Sequence, residues 1–356
     1  MKQVKSLSFV GQDIYCGIDV HQKDWSVCIR DDERELKHYT QPPEPVKMAE
    51  LLNRNYPQAN FHIVYEAGFC GYWIQQALSA YGFDCKIVHA ADVPTTDRER
   101  RQKTDKVDCR KLAKGLAEGL LTGIHIPDQK TLDDRNLVRG RKQLVKEQTR
   151  WKNRILSSLH FSGLVIPEGY KNSSHFSRRF INWLEQLKIG ESAKIALQLK
   201  LAALKPVREQ LLQANRSLRQ LAQTEKYVNT TKLMRSVPGI GMINSMILIT
   251  ELDCLDRFKS FDHLCGYAGF KPDIYSSSEK TIIKGITPRC NYRVREALVE
   301  SAWKAIAIDP ALLMAYKQYK KRMHYNKAII RIAKKLLSRI RYVLIHQKEY
   351  VPGVVQ

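Results

Sequence analysis

No apolar run in this chain approaches the roughly 18 residues a membrane-crossing helix needs, and Met1 to Val10 lacks the apolar stretch of a secretory signal. A membrane partner is therefore not expected, and the cytoplasm is the expected compartment. Metal-binding cysteine pairs are missing too. The eight cysteines (Cys16, Cys28, Cys70, Cys85, Cys109, Cys254, Cys265, Cys290) form no C-x-x-C pair and stand near no histidine at zinc-ligand spacing. Several lie in apolar runs, such as Ile14-Tyr15-Cys16, where a reduced thiol behaves as a small hydrophobe, so all eight read as structural. No repeat of fixed period is visible. Acid is scarce: 36 Asp and Glu stand against 59 Lys and Arg, a formal charge of +23. Such a surplus attracts phosphate backbones through counterion release, whatever their sequence. Nucleic acid is the expected partner.

The 356 residues suffice for two or three domains, and the 44% apolar content for packed cores. From Ile14 to Arg30 two β-prone runs flank a polar turn, which predicts a hairpin with Asp19 near the end of its first strand. FHIVYE, residues 61–66, predicts another strand, Trp73 to Tyr81 a helix, and Cys85 to His89 a further strand. Alternating strands and helices indicate an α/β domain. Past Pro94 a basic segment leads into CRKLAKGLAEGLL, whose spacing through Val107, Leu112, Ala113 and Leu116 predicts a helix with Asp105 and Asp108 in its first turns.

A long amphipathic helix is expected from about Thr131 to Leu159, with Leu137, Leu144 and Trp151 seven apart. Its opposite face carries Arg139, Arg141, Lys142, Lys146, Arg150, Lys152 and Arg154, either to meet phosphates or simply to be solvated. A second helical region, about Ala193 to Tyr227, is expected to break or kink near Pro206. The pair reads as an antiparallel or coiled-coil spacer. Beyond it come LMRSVPGIGMINSMILITEL, two helices about a Pro-Gly-Ile-Gly turn, then loops and short strands, then a basic helical tail.

Four acids stand in contexts able to share one pocket. Asp19 leaves a strand, Glu66 ends another, and Asp105 and Asp108 are neighbours on one helical face. Carboxylates are the ligands hard Mg²⁺ prefers, and two-metal nucleases hold ions roughly 3.5–4 Å apart. This is the ribonuclease H architecture in outline. Singly, each acid has a plainer reading: Asp105 caps a helix, Asp108 pairs with Lys111, and the others are surface acids. His21 sits close by, but a histidine on a polar turn is more often idle.

GIDVHQKDWSV, VYEAGFCGYW and KTDKVDCRKLA, followed in order by PGIG and YSSSEK, resemble the DEDD transposases of insertion sequences, the group that includes the Piv-type DNA invertases and bridge-RNA-guided recombinases. The resemblance spans nearly the whole chain. It implies a RuvC-like (ribonuclease H-like) catalytic domain over 11–130, a helical coiled-coil spacer over 131–229, and a mainly helical C-terminal transposase domain over 230–350. The family's Mg²⁺-binding tetrad falls on Asp19, Glu66, Asp105 and Asp108. The family serine falls on Ser277, where Tyr, any residue, Ser and usually Gly follow one another; here Ser278 takes the Gly place, so Ser276 and Ser278 remain rivals. Cutting and rejoining of donor and target DNA through a phosphoserine link is implied. So are a structured guide RNA, which would read sequence by pairing, and a homo-oligomer, a dimer or tetramer, whose serine and tetrad come from different protomers.

Other elements also suit nucleic acid. Val237-Pro238-Gly239-Ile240-Gly241 resembles a helix-hairpin-helix, and equally a tight turn burying Ile240. Arg289, Arg293 and Arg295 follow the serine segment and could clamp a phosphate or be solvated. The tail from Tyr316 to Arg341 interleaves cations with Tyr319, Tyr325, Ile329, Ile332 and Leu336, a packed face and a phosphate-tracking stripe together. A junction nuclease using metal-activated water and a non-catalytic binding protein remain the competing readings.

Overall fold

The computed structural model describes residues 8–96, 104–171, 176–277 and 280–352, leaving aside the side chains of 171 and 274–284. It divides into two compact units, residues 1–126 and 127–356.

The first unit is built on a five-stranded sheet of β1 (Asp13–Val20), β2 (Trp25–Arg30), β3 (Glu35–Gln41), β4 (Asn60–Glu66) and β5 (Asp84–Val88), in the spatial order β3-β2-β1-β4-β5. β2 runs antiparallel to β1 and β3, whereas β4 is parallel to both β1 and β5. Strand alternation then assigns the faces. Ile14, Cys16 and Ile18 of β1, with Trp25, Val27 and Ile29 of β2, are buried against α1 (Pro45–Asn55) and α2 (Trp73–Ala80) through Met48, Leu52, Ile74 and Leu78. The other face receives α3 (Asp105–Ala117): Val64 and Val88 pack on Leu112 and Leu116, and Cys28 on Cys109 and Ala113.

β3 and α1 have no counterpart in the sequence reading. β3 is an edge strand whose ELKHYTQ is mostly polar and only part-buried, so it carries little apolar alternation. α1 opens on Pro45 and keeps only Met48, Ala49 and Leu52 buried, a stripe too short to announce itself.

In the second unit α4 (Gln129–Phe161) and α7 (Glu191–Leu221) lie antiparallel, with α5 (Glu168–Lys171) and α6 (Arg178–Glu185) between them in sequence. Val138 meets Leu218, Arg141 Nε donates to Asn215 Oδ1 at 2.8 Å, and Ile155 and Leu159 meet Leu197 and Leu204. Of the break or kink expected near Pro206, the break is absent: α7 continues through it as one helix. Proline removes one amide donor, and the packing of Leu204, Ala214 and Leu218 on both sides of it outweighs that single loss.

The remaining elements are α8 (Val228–Ser236), α9 (Met242–Leu252), α10 (Phe261–Tyr267), β6 (Pro272–Ser277), β7 (Lys280–Ile286), α11 (Tyr292–Ile308), α12 (Pro310–Lys320) and α13 (Tyr325–His346). α13 contributes Ile329, Ile332, Ala333, Leu336, Leu337, Ile340 and Val343 to the core of this region. In the α8–α9 turn Gly239 has φ +81°, and a Cβ there would lie 2.2 Å from the Ser301 carbonyl oxygen of α11. Ile240 beside it is buried. Gly239 is thus required by the packing of this turn on α11. Among the described residues no helix is long and apolar enough to cross a membrane.

Candidate metal centre

On β1 the side chains of Tyr15, Gly17 and Asp19 share the face covered by α3. Gly17 decides how close that helix comes. A Cβ on it would stand 2.1 Å from the Cys109 carbonyl oxygen and 2.5 Å from the Ala113 nitrogen, so α3 lies directly on the strand backbone. Thr104 caps the helix, its hydroxyl accepting from the Val107 amide at 3.4 Å, and Asp105 and Asp108 occupy the first turn. Gly17→Ala is expected to push α3 away, at about 1–3 kcal/mol of overpacking. The thermal midpoint of the N-terminal unit should fall and strand transfer with it; a variant unchanged in both would refute the close-packing account.

Where β1 ends, His21 Nε2 lies 3.2 Å from Asp19 Oδ2 and 3.4 Å from Asp105 Oδ1. The three residues each offer a ligand atom, all within 4.8 Å of one another. Burial pushes the Asp19 carboxyl up; His21 pulls it down, Asp105 and Asp108 push it up again, and it ends above the ordinary carboxylate range. Burial likewise works against charge on His21, but Asp19 and Asp105 outweigh it and raise the imidazole above its usual value. Mutually repelling carboxylates with an imidazole between them form a donor set that fits a divalent cation.

Asp108 is mostly buried and its Oδ1 accepts from Lys111 Nζ at 2.9 Å. Glu66 shares the face of Val64, which packs on α3, and follows Tyr65, the β4 partner of Ile18. It thus ends the strand beside Asp19 but stands outside the trio. The structure gathers Asp19, Asp105 and His21, places Asp108 near enough to raise the Asp19 carboxyl while pairing it with Lys111 on α3, and sets Glu66 on the same face. The sequence offered His21 as an acid or base but favoured an idle surface histidine; its contacts with Asp19 and Asp105 differ from that expectation. The available clue was its position two residues after Asp19, where alternation repeats the side of the sheet.

Ser276 and Ser277 close β6, in register with Thr281 and Lys280 of β7. Their side chains, and Ser278 altogether, lie outside the described residues. Of the arginines that follow, Arg293 stacks on the Tyr292 ring at 4.6 Å and lies 3.9 Å from Glu251, while Arg295 donates to the Thr287 carbonyl at 3.2 Å. Both are engaged in the fold.

The basic face of α4 is also divided. Arg139 binds Glu251, Arg141 binds Asn215, and Lys142 binds Glu296 at 2.7 Å, so these turn inward. Farther along, Lys146, Arg150 and Arg154 line an open groove of about 780 Å³ with Lys200 of α7. Within it Arg150 pairs with Glu147 at 2.7 Å and Arg154 stacks on the Trp151 ring at 4.6 Å.

Residues 16–162 match the family model of IS110-type DEDD transposases, and residues 231–318 match that of the IS116/IS110/IS902 transposase family. The chain belongs to this family of insertion-sequence transposases. Its members cut and rejoin DNA, which is the enzyme class of this chain. A Sinorhizobium fredii protein with the provisional name transposase y4rJ is 27% identical over 304 residues, 77% of this chain and 74% of its own. The transposase for insertion sequence element IS1533 of Leptospira borgpetersenii is 23% identical over 310 residues, covering 82% of this transposase and 85% of its own length. That for IS1111A of Coxiella burnetii is 22% identical over 310 residues, 85% and 78% respectively. The first family match includes Asp19, Glu66, Asp105 and Asp108, and the second includes Ser276, Ser277 and Ser278.

Proposed function

We propose that this transposase exchanges strands of donor and target DNA with Ser277 as nucleophile and Asp19, Glu66, Asp105 and Asp108 as the Mg²⁺-holding acids. The observation that carries this reading is the meeting of Asp19, Asp105 and His21 at one corner of β1 and α3, with Asp108 beside them. The strand order, three parallel strands flanked by an antiparallel pair, supports a RuvC-like domain. Bound Mg²⁺ would supply Lewis acidity at the phosphate and lower the cost of ionising the attacking hydroxyl.

The chain's own residues do the rest. His21 keeps Asp19 and Asp105 at ligand spacing, and Lys111 orients Asp108 while offsetting part of the local negative charge. The Ser277 oxygen forms a bond to phosphorus as a sugar oxygen leaves, taking a proton; the reverse step, by a sugar hydroxyl of the new strand, restores the serine. One phosphodiester replaces another, so no external energy source is needed. The serine of one protomer serves the tetrad of another within a dimer or tetramer, and a structured RNA selects the sites by base pairing. The spacer over 131–229 offers the basic groove of α4 and α7 to the nucleic acid backbone.

The test is to incubate the protein with Mg²⁺, cognate DNA and the structured RNA encoded beside its gene, then denature and look for protein covalently attached to DNA. The adduct should form in the parent and disappear in Ser277→Ala, but survive in Ser276→Ala and Ser278→Ala. Nicked DNA without an adduct, still produced by Ser277→Ala, would point instead to hydrolysis by metal-activated water. No cleavage in any combination would leave only a binding protein.

A further inference from the structure

At the root of the β6–β7 hairpin, Pro272 and Ile286 face α13 across a cavity of about 490 Å³. That lies within the roughly 300–1,000 Å³ of small-ligand sites. Its apolar side is formed by Phe270, which is buried, and Ile330. Its polar side is formed by Asn326 and by Lys327, Arg331 and Lys334, spaced i, i+4, i+7 and so on one face of α13. Among the described residues, none of these three cations makes an ion pair. The carboxylate near Lys334, Asp262, is itself engaged by Lys271. Among the described residues no acid lines the cavity. Three other cations of this unit are by contrast paired within the fold: Arg139 with Glu251, Lys142 with Glu296 and Arg339 with Asp309.

A flat apolar wall, an amide and three unengaged cations on one rim suit a ligand with a planar face and a phosphate. We propose that this cavity receives one nucleotide of a single strand, its base turned out of the stack against Phe270 and Ile330 and its phosphate held by Lys327, Arg331 and Lys334. Asn326 is placed to hydrogen-bond the base edge. The proposal rests on the reading that the chain acts on nucleic acid. It adds a place where a strand is anchored. Five residues of β6 separate Pro272 from Ser277, roughly 17 Å of extended chain, which equals about five stacked nucleotides. The anchored nucleotide would therefore stand within about five positions of the serine.

The probe is a single-stranded hexanucleotide, in deoxy and ribo forms, compared with the same hexanucleotide made abasic throughout, so that charge is constant. Binding is read by fluorescence anisotropy on the full chain. The parent should bind the base-bearing strand about tenfold tighter than the abasic one, the lower range of what one stacked base contributes. Asn326→Trp, a substitution at an exposed position that fills the cavity and keeps every cation, should erase that ratio. Arg331→Ala should weaken both strands alike and lower the salt slope by about one. The tighter of the deoxy and ribo forms identifies which nucleic acid supplies the nucleotide.

An equal affinity for base-bearing and abasic strands, or a ratio untouched by Asn326→Trp, overturns the pocket while the Ser277-dependent adduct still stands. A protein that binds neither strand and forms no adduct overturns the functional reading as well.

Discussion

Asp105→Asn and Asp108→Asn should each reduce strand transfer by about a thousandfold or more and leave binding of DNA and RNA within about twofold. Asparagine keeps the shape of the side chain and can still accept hydrogen bonds at the start of α3, so the helix should remain in place. What disappears is an anionic oxygen facing the same small volume as Asp19. A divalent cation contributes several kcal/mol to phosphoryl transfer, and each 1.36 kcal/mol is a factor of ten in rate. Binding depends on the +23 charge, which becomes slightly larger in the variants. Gel assays of joined product, with anisotropy on the same preparations, separate the two quantities. Strand transfer preserved in both variants would dissolve the tetrad assignment.

Glu251→Ala should lower the melting temperature of the second unit by about 6–12 °C. Glu251 is fully buried in α9, where Arg139 reaches it with Nε at 2.7 Å and Nη2 at 2.8 Å, and Asn291 Nδ2 at 2.9 Å. Arg135 of α4 binds the neighbouring Thr250 carbonyl at 2.7 Å, and the Tyr267 hydroxyl donates to the Glu251 carbonyl at 2.8 Å. The carboxylate thus ties α4 and the cap of α11 to α9, while the Glu251 main chain holds α10. Losing one member of such a pair costs about 3–5 kcal/mol, and the partial exposure of Arg139 places the effect near ~3. For a unit of this size ~1 kcal/mol shifts the midpoint by roughly 2–4 °C.

The same site has a pH signature. Burial pushes the Glu251 carboxyl up, but the hydrogen bonds and charge of Arg139, with Asn291, outweigh it and hold the carboxyl below its usual range. A depressed folded-state value means the stabilisation is complete above the unfolded glutamate value of about 4.3 and is lost as pH falls through the folded one. Acid should therefore destabilise the parent more steeply than Glu251→Ala below about pH 4. Parallel melting curves across that range would remove Glu251 as the cause.

Particular residues show what could be read from the chain alone. The hairpin from Ile14 to Arg30 was legible because two β-prone runs flank a polar turn, and α3 because Val107, Leu112, Ala113 and Leu116 keep helical spacing, although its cap is Thr104 and not Asp105. β3 was hidden because ELKHYTQ is mostly polar, so the alternation in its burial has little counterpart in hydropathy. Pro206 misled because local backbone chemistry argues for a break, while tertiary packing along α7 decides the outcome. The basic face of α4 looked uniform in sequence; only folded neighbours reveal that Arg139, Arg141 and Lys142 are occupied and Lys146, Arg150 and Arg154 are not turned inward with them. His21 was visible as a letter but not as a partner, because bridging Asp19 to Asp105 joins residues 84 positions apart (105 − 21). Gly17 gave no signal at all, for the absence of a side chain matters only once α3 lies on top of it.

Since strand and helix touch main chain to main chain at Gly17, the gap between Asp19 and the head of α3 is gauged by the least pliable matter in the molecule. Repacking of side chains elsewhere in this unit leaves that spacing in place, whereas any residue larger than glycine at position 17 must widen it.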